Sequence, residues 1–184
     1  MLAICMLRGV NVGGHNKIKM DALRDLCESL GYSGARTFIQ SGNVLFHTEA
    51  KEADRIASRL SEAIGERFGF RPDVIVRTAA ELRSSAARNP FAGRAEIDGA
   101  RLLVTFLATE PSPAARDKVL SMKTGGEELQ FAGRELYVYF PIGMGQSKLS
   151  MPALTKALGS QTGRNLNSVL KMIEMAEEME GGAS

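Results

Sequence analysis

The order of periodic segments along this chain predicts an α+β protein of two ferredoxin-like (split βαβ) halves packed together. Three observations carry the prediction. Residues 2–78 run strand, helix, two strands, helix, strand, the split βαβ order built from two right-handed crossovers. From residue 101 a second round opens with a buried strand, a helix and a hairpin, after a polar, glycine-containing stretch. With 184 residues, 44% hydrophobic and 24% charged, the chain is long enough and apolar enough for one ample core or two small packed ones.

Taken in order, Leu2 to Leu7 is a continuous apolar run, which suits a central strand buried on both faces. Leu7 to Lys19 follows as a glycine-broken basic loop. From Asp21, Leu23, Leu26, Cys27 and Leu30 recur at helical spacing, and Gly31 ends the helix. Ala35 to Ile39 and Val44 to His47 are β-prone runs around the turn Gln40-Ser41-Gly42-Asn43. Ala53, Ile56, Ala57, Leu60 and Ile64 mark one face of a second helix closed by Gly69, and Asp73 to Arg77 reads as a strand. The first half is thus 1–78.

Residues 79–100 hold a connecting helix, Ala79 to Arg88, stopped by Asn89-Pro90, and then a linker. The second half, 101–184, starts with a buried strand at Leu102 to Ala108. A helix begins at Pro111 and Pro113 and runs to about Met122. Glu128 to Phe131 and Leu136 to Phe140 form a hairpin about Ala132-Gly133-Arg134. Pro141 to Ser150 is a second glycine-rich basic loop, Pro152 to Leu158 a short helix, and Gly159 to Gly163 a turn. Asn165 to Met179 is a final amphipathic helix, and Glu180 to Ser184 should fray.

The net charge of +2 favours polyanionic partners only slightly, but its distribution is uneven. Arg8, Lys17 and Lys19 precede the first acidic residue, Asp21, while Glu174, Glu177, Glu178 and Glu180 gather near the C-terminus. Cys5 and Cys27 lie on apolar faces, as small buried hydrophobes do, and suggest no disulfide framework. The opening run lacks a cationic n-region, and no run reaches the roughly 18 apolar residues of a membrane span. We therefore expect a protein of the reducing cytoplasm without a membrane partner.

No catalytic constellation assembles from the motifs. Ser168-Val169-Leu170-Lys171 and Lys123-Thr124-Gly125 match SxxK and KTG in reversed order with no SDN element, and read as chance. His15 and His47 are the only imidazoles, and neither cysteine sits where a reactive thiolate belongs. The absence of CxxC and HExxH, with acids scattered along helix faces, argues against a metal site; no cofactor fingerprint is present either. Tyr137 and Tyr139 alternate with apolar residues and read as packed rings more readily than as a base-stacking platform.

What remains is polar-ligand chemistry. Gly9, Gly13 and Gly14 let main-chain N–H groups converge, and Arg8 and Lys17 supply positive charge, so the first loop is a candidate anion site. Asn11 and Asn16 serve equally well as turn formers. Near the C-terminal helix, Thr162 or Asn165 suits capping, and Arg164 is a candidate ligand for a carboxylate or phosphate. Three readings compete: an anionic or phosphate-bearing small molecule as ligand, a nucleic-acid-binding accessory module, and a structural protein whose loops only order the fold.

Leu7-Arg8-Gly9-Val10-Asn11-Val12-Gly13-Gly14, Asn16-Lys17 and Met20, Thr37-Phe38-Ile39-Gln40-Ser41-Gly42-Asn43 and Arg164-Asn165-Leu166-Asn167-Ser168-Val169 together resemble the DUF1697 family. Asn89-Pro90-Phe91 and Gly145-Gln146-Ser147-Lys148-Leu149 extend the resemblance over nearly the whole chain. It implies the same two-half α+β architecture. It also implies binding residues in three polar loops: Arg8, Gly9, Asn11, Gly13, Gly14, Asn16 and Lys17; Gln40, Ser41 and Asn43; and Arg164, Asn165 and Asn167. The chain departs from the family pattern at Phe38, where Tyr is usual, at Leu166, where Trp is usual, and at Ser168, often Thr. The Leu166 exchange removes a stacking ring and an N–H donor.

Overall fold

The computed structural model describes residues 1–182; the predicted frayed end at Ala183 and Ser184 lies outside the described residues. Fourteen regular elements follow in order: β1 (Leu2–Leu7), α1 (Met20–Ser29), β2 (Ser33–Phe38), β3 (Asn43–His47), α2 (Ala53–Phe68), β4 (Val74–Thr78), α3 (Ala79–Ala87), β5 (Leu102–Leu107), α4 (Pro113–Leu120), β6 (Glu128–Ala132), β7 (Glu135–Tyr139), α5 (Met151–Leu158), β8 (Gln161–Asn165) and α6 (Leu166–Gly181). A single 3₁₀ turn, Met144–Gln146, interrupts the second glycine-rich loop.

Two four-stranded antiparallel sheets organise the chain, β2-β3-β1-β4 and β6-β7-β5-β8. Both have the strand order of the split βαβ fold, so the α+β architecture of two ferredoxin-like halves holds. The described residues divide into one compact unit of residues 1–82 and 172–182 and another of residues 83–171. The final helix is therefore shared. Its residues from Met172 belong with the first unit, where Glu178 pairs with Arg36 at 3.1 Å.

In the first unit the apolar run of β1 is buried at all six residues, as a central strand demands. Ala3, Cys5 and Leu7 meet Leu23, Cys27, Ile56, Leu60 and Ile64 of the two helices in one core. α1 is followed by Gly31 at φ +80°, and α2 stops at Gly69 at φ +83°, the left-handed conformation that glycine adopts without penalty. In the second unit Leu103, Leu107, Leu136, Val138 and Phe140 pack against Val119, Leu154 and Leu158.

One element corrects the sequence reading. The expected turn at Gly159 to Gly163 is the start of strand β8, which pairs antiparallel with β5 from Gln161 opposite Leu107 to Asn165 opposite Leu103. It completes the second split βαβ unit. A Cβ on Gly163 would stand 3.0 Å from the Leu103 side chain, so the smallest residue lets this strand lie close to its neighbour.

Candidate functional site

The β1–α1 loop and the β2–β3 turn occupy the same end of the first sheet, because β1 runs antiparallel to β3 and ends where β3 begins. Leu7 N–H donates to the Gly42 carbonyl at 2.9 Å and ties the two together at their base. Asn11 ties them at the tip. Its Oδ1 accepts from Ile18 N–H at 2.9 Å, while Nδ2 donates to the carbonyls of Ile18 at 2.9 Å and Gln40 at 2.6 Å. Both amide hydrogens of Asn11 are thereby spent on main chain.

Asn16 supports the same loop, donating from Nδ2 to the Gly9 carbonyl at 3.2 Å, and its own carbonyl accepts from Asn11 N–H at 3.1 Å. Asn11 and Asn16 sit at φ +56° and +50°, and Gly9, Gly13 and Gly14 are also left-handed, so the loop uses the residue types that tolerate this region. Ile39, at φ +49° and 49% exposed, does not belong to those types. A β-branched residue held there is strained, and the strain sits in the turn that Asn11 clamps.

Between loop, turn and the start of α1 lies a cleft of about 700 Å³. Asn11, Gly14, Lys17 and Gln40 line one part of it, and Ile18, Lys19, Met20 and Asp21 the other. α1 opens into it with no side-chain cap: Lys19 occupies the capping position and makes no hydrogen bond there, leaving first-turn N–H groups unsatisfied by protein. Lys17 and Lys19 are exposed, whereas Asp21 is ion-paired with Arg24. The unneutralised charge of the cleft is positive.

Other predicted site residues hold different positions. Arg8 pairs with Asp73 at 3.6 Å, and its main-chain N–H donates to the Asp73 carbonyl. Ser41 accepts from Asn43, whose fully buried amide also donates to the Phe38 carbonyl at 3.1 Å and so braces the turn from inside. Arg164 is not a loop residue: it lies on β8, 8% exposed, donating to Thr162 Oγ1 and the Gly163 carbonyl, both at 2.8 Å. Burial pushes its guanidinium pKa down to about 10. Asn165 accepts from Ser168 N–H at 2.8 Å and caps α6, and Asn167 fills the space beside Gly99.

The sequence reading places Lys19 in the basic loop but counts neither it nor Met20 among the binding residues, although a lysine where a helix wants Ser, Thr, Asp or Asn is itself a legible signal. The second glycine-rich loop closes on itself. Glu127, 7% exposed, accepts from the main-chain N–H groups of Gly125 and Lys148. A Ser147 hydroxyl bond, reinforced by those amides, holds its carboxyl below the usual carboxylate value. Within that loop the Lys148 amide meets this internal carboxylate, and the Gly143 and Ser147 amides meet the carbonyls of Phe140 and Met144. Among the described residues no group of three or more His, Cys, Asp or Glu could hold a metal ion, and no helix is long and apolar enough to cross a membrane.

Two ferredoxin-like units, the first with a basic cleft between its leading loop and hairpin turn, define the class of protein. The chain belongs to the family described as protein of unknown function (DUF1697), whose model matches residues 1–137. Among solved structures it is similar to the conserved bacterial protein SP0830 from Streptococcus pneumoniae, at 22% identity and a TM-score of 0.69, with 95% of this chain and 98% of that one covered. That likeness is one of fold. No curated protein matches the chain.

Proposed function

We propose that the cleft at the end of the first sheet binds an anionic, phosphate-bearing small molecule. One observation carries the reading: Lys17 and Lys19 face a cleft of about 700 Å³ at the uncapped start of α1, with the nearby carboxylate of Asp21 already held by Arg24. Unsatisfied first-turn N–H groups and the positive end of the helix dipole favour an anion there, and the lysines add full charge. The glycine loop supplies close main-chain approach at Gly14. Gln40 provides a neutral amide across the cleft.

Arg8 and Arg164 have no part in this reading. The buried rings of Tyr137 and Tyr139 offer no stacking face to a nucleic acid, which favours a small ligand over a polymer. In a thermal-shift series with inorganic phosphate, nucleotides and sugar phosphates, at least one compound should raise the melting temperature. The effect should disappear in Lys17→Ala/Lys19→Ala, whose exposed side chains contribute little to folding. A series without any stabiliser, or one equally effective on the double variant, refutes the proposal.

A further inference from the structure

A second cleft, of about 770 Å³, lies in the other unit between helix α4 and strand β6 and shares no lining residue with the first. β6 ends its sheet, pairing with β7 on one side only, so the main-chain N–H and C=O groups along its outer side have no strand partner. Leu129 and Phe131, two residues apart, face the α4 side and are partly buried against the core. Opposite them stands Leu120 of α4, 52% exposed, with Pro111 and Pro113 closing one end. An unpaired strand edge beside an apolar groove roofed by a helix is the geometry in which one added strand gains main-chain hydrogen bonds and buries every second side chain.

The charge in the groove is set by Arg116 and its neighbours. Arg116 stacks over the Phe131 ring at 5.5 Å, pairs with Glu110 at 2.8 Å, and donates to the carbonyls of Gly133 at 3.1 Å and Pro111 at 3.3 Å. It is thereby neutralised and fixed as part of the wall. Asp117, exposed on the same lining, has no cation paired with it among the described residues. The charge left for an incoming segment is a single carboxylate.

We infer that β6 and α4 form a docking groove for an extended peptide segment of a partner protein, which adds as a fifth strand on β6. Its alternate apolar side chains enter the groove over Leu129 and Phe131 beside Leu120, and a lysine or arginine meets Asp117. Apolar burial supplies affinity, and the carboxylate selects the sign of the peptide's charge.

The experiment is to pan a random linear peptide library against the full chain and measure the enriched synthetic peptides by fluorescence anisotropy and amide hydrogen exchange. Basic peptides with alternating apolar residues should be enriched and should slow exchange along Glu128–Ala132. Leu120→Asp should weaken them about tenfold or more, the scale of one apolar side chain losing its burial. Because Leu120 is exposed, the melting temperature of that variant should match the parent. Asp117→Lys should shift enrichment toward acidic peptides. Enrichment of nothing above background, peptides indifferent to Leu120→Asp, or protection lying outside β6 each overturns the inference. So does a self-associated form, seen by sedimentation, that is abolished by Leu120→Asp, since the occupant would then be a second copy of the chain.

Discussion

Asn11 shows how a residue of a ligand-type loop is committed to building the loop. Its amide imitates a strand neighbour toward Ile18, giving one acceptor and one donor to that residue's main chain, and uses its other hydrogen on Gln40. Substituting Ala leaves the Ile18 N–H and two carbonyls without partners and puts at φ +56° a residue that tolerates the left-handed region less well than asparagine, so Asn11→Ala should cost about 3 kcal/mol. Asn11→Gly removes the same hydrogen bonds but keeps the left-handed backbone at ease. It should therefore lie about 1 kcal/mol above the alanine variant in urea denaturation. Equal losses in the two would mean that backbone conformation contributes nothing at this position. The lysines differ in kind. Lys17 and Lys19 sit at the cleft exposed, so their substitution should be read in ligand response and Asn11 substitution in folding.

At the scale of elements, the hairpin turn and the first loop behave as one piece because Gly42 lets them touch. An added Cβ there would stand 3.0 Å from Leu7 Cβ and 3.2 Å from Val10 Cβ, with φ at +82° besides. Gly42→Ala should therefore destabilise the chain by about 2 kcal/mol or more, read as a lowered denaturant midpoint with an unchanged slope. A midpoint within error of the parent would show that the two loops separate freely. Elements with apolar period were legible in the sequence: β1, α1, α2 and both hairpins follow from runs such as Leu2–Leu7 and the spacing of Ile56, Leu60 and Ile64. β8 was not. Gln161-Thr162-Gly163-Arg164-Asn165 has no apolar residue and reads as turn and cap, yet Gln161, Thr162 and Arg164 are buried. Pairing with β5, a tertiary interaction, makes that segment a strand. The same blindness to tertiary pairing hid the meaning of Arg8, whose partner Asp73 lies 65 positions along the chain. Lys19 reads in the sequence as one more charge of the basic loop, and its place at the uncapped start of α1 shows only in the structure.

At the scale of the molecule, both units bury weak acids in protonated form, and this gives their stability a common pH dependence. In the first unit burial raises the Cys5 thiol well above its ordinary value and pushes Cys27 from 9.0 to about 12. In the second, burial, with the Glu135 charge adding to it, pushes Tyr137 from 10.0 to about 12, its hydroxyl donating to the Ser85 carbonyl at 2.6 Å. For each group the folded chain keeps a proton that the unfolded chain releases. The resulting stabilisation is complete below about pH 9 and is lost progressively as pH rises toward about 12, with Cys27 giving way from about 9 and Tyr137 from about 10. Urea midpoints measured from pH 8 to 11 should therefore fall on the alkaline side, and Cys27→Ala, after its own packing loss is subtracted at pH 8, should fall less steeply between pH 9 and 10. A thiol reagent such as a disulfide chromogen should label both cysteines at the rate of unfolding and no faster, since neither exposes a thiolate while the sheet is intact. Midpoints that stay level to pH 11, or labelling much faster than unfolding, would show that the first core admits water and that β1 is not the sealed centre its six buried residues describe.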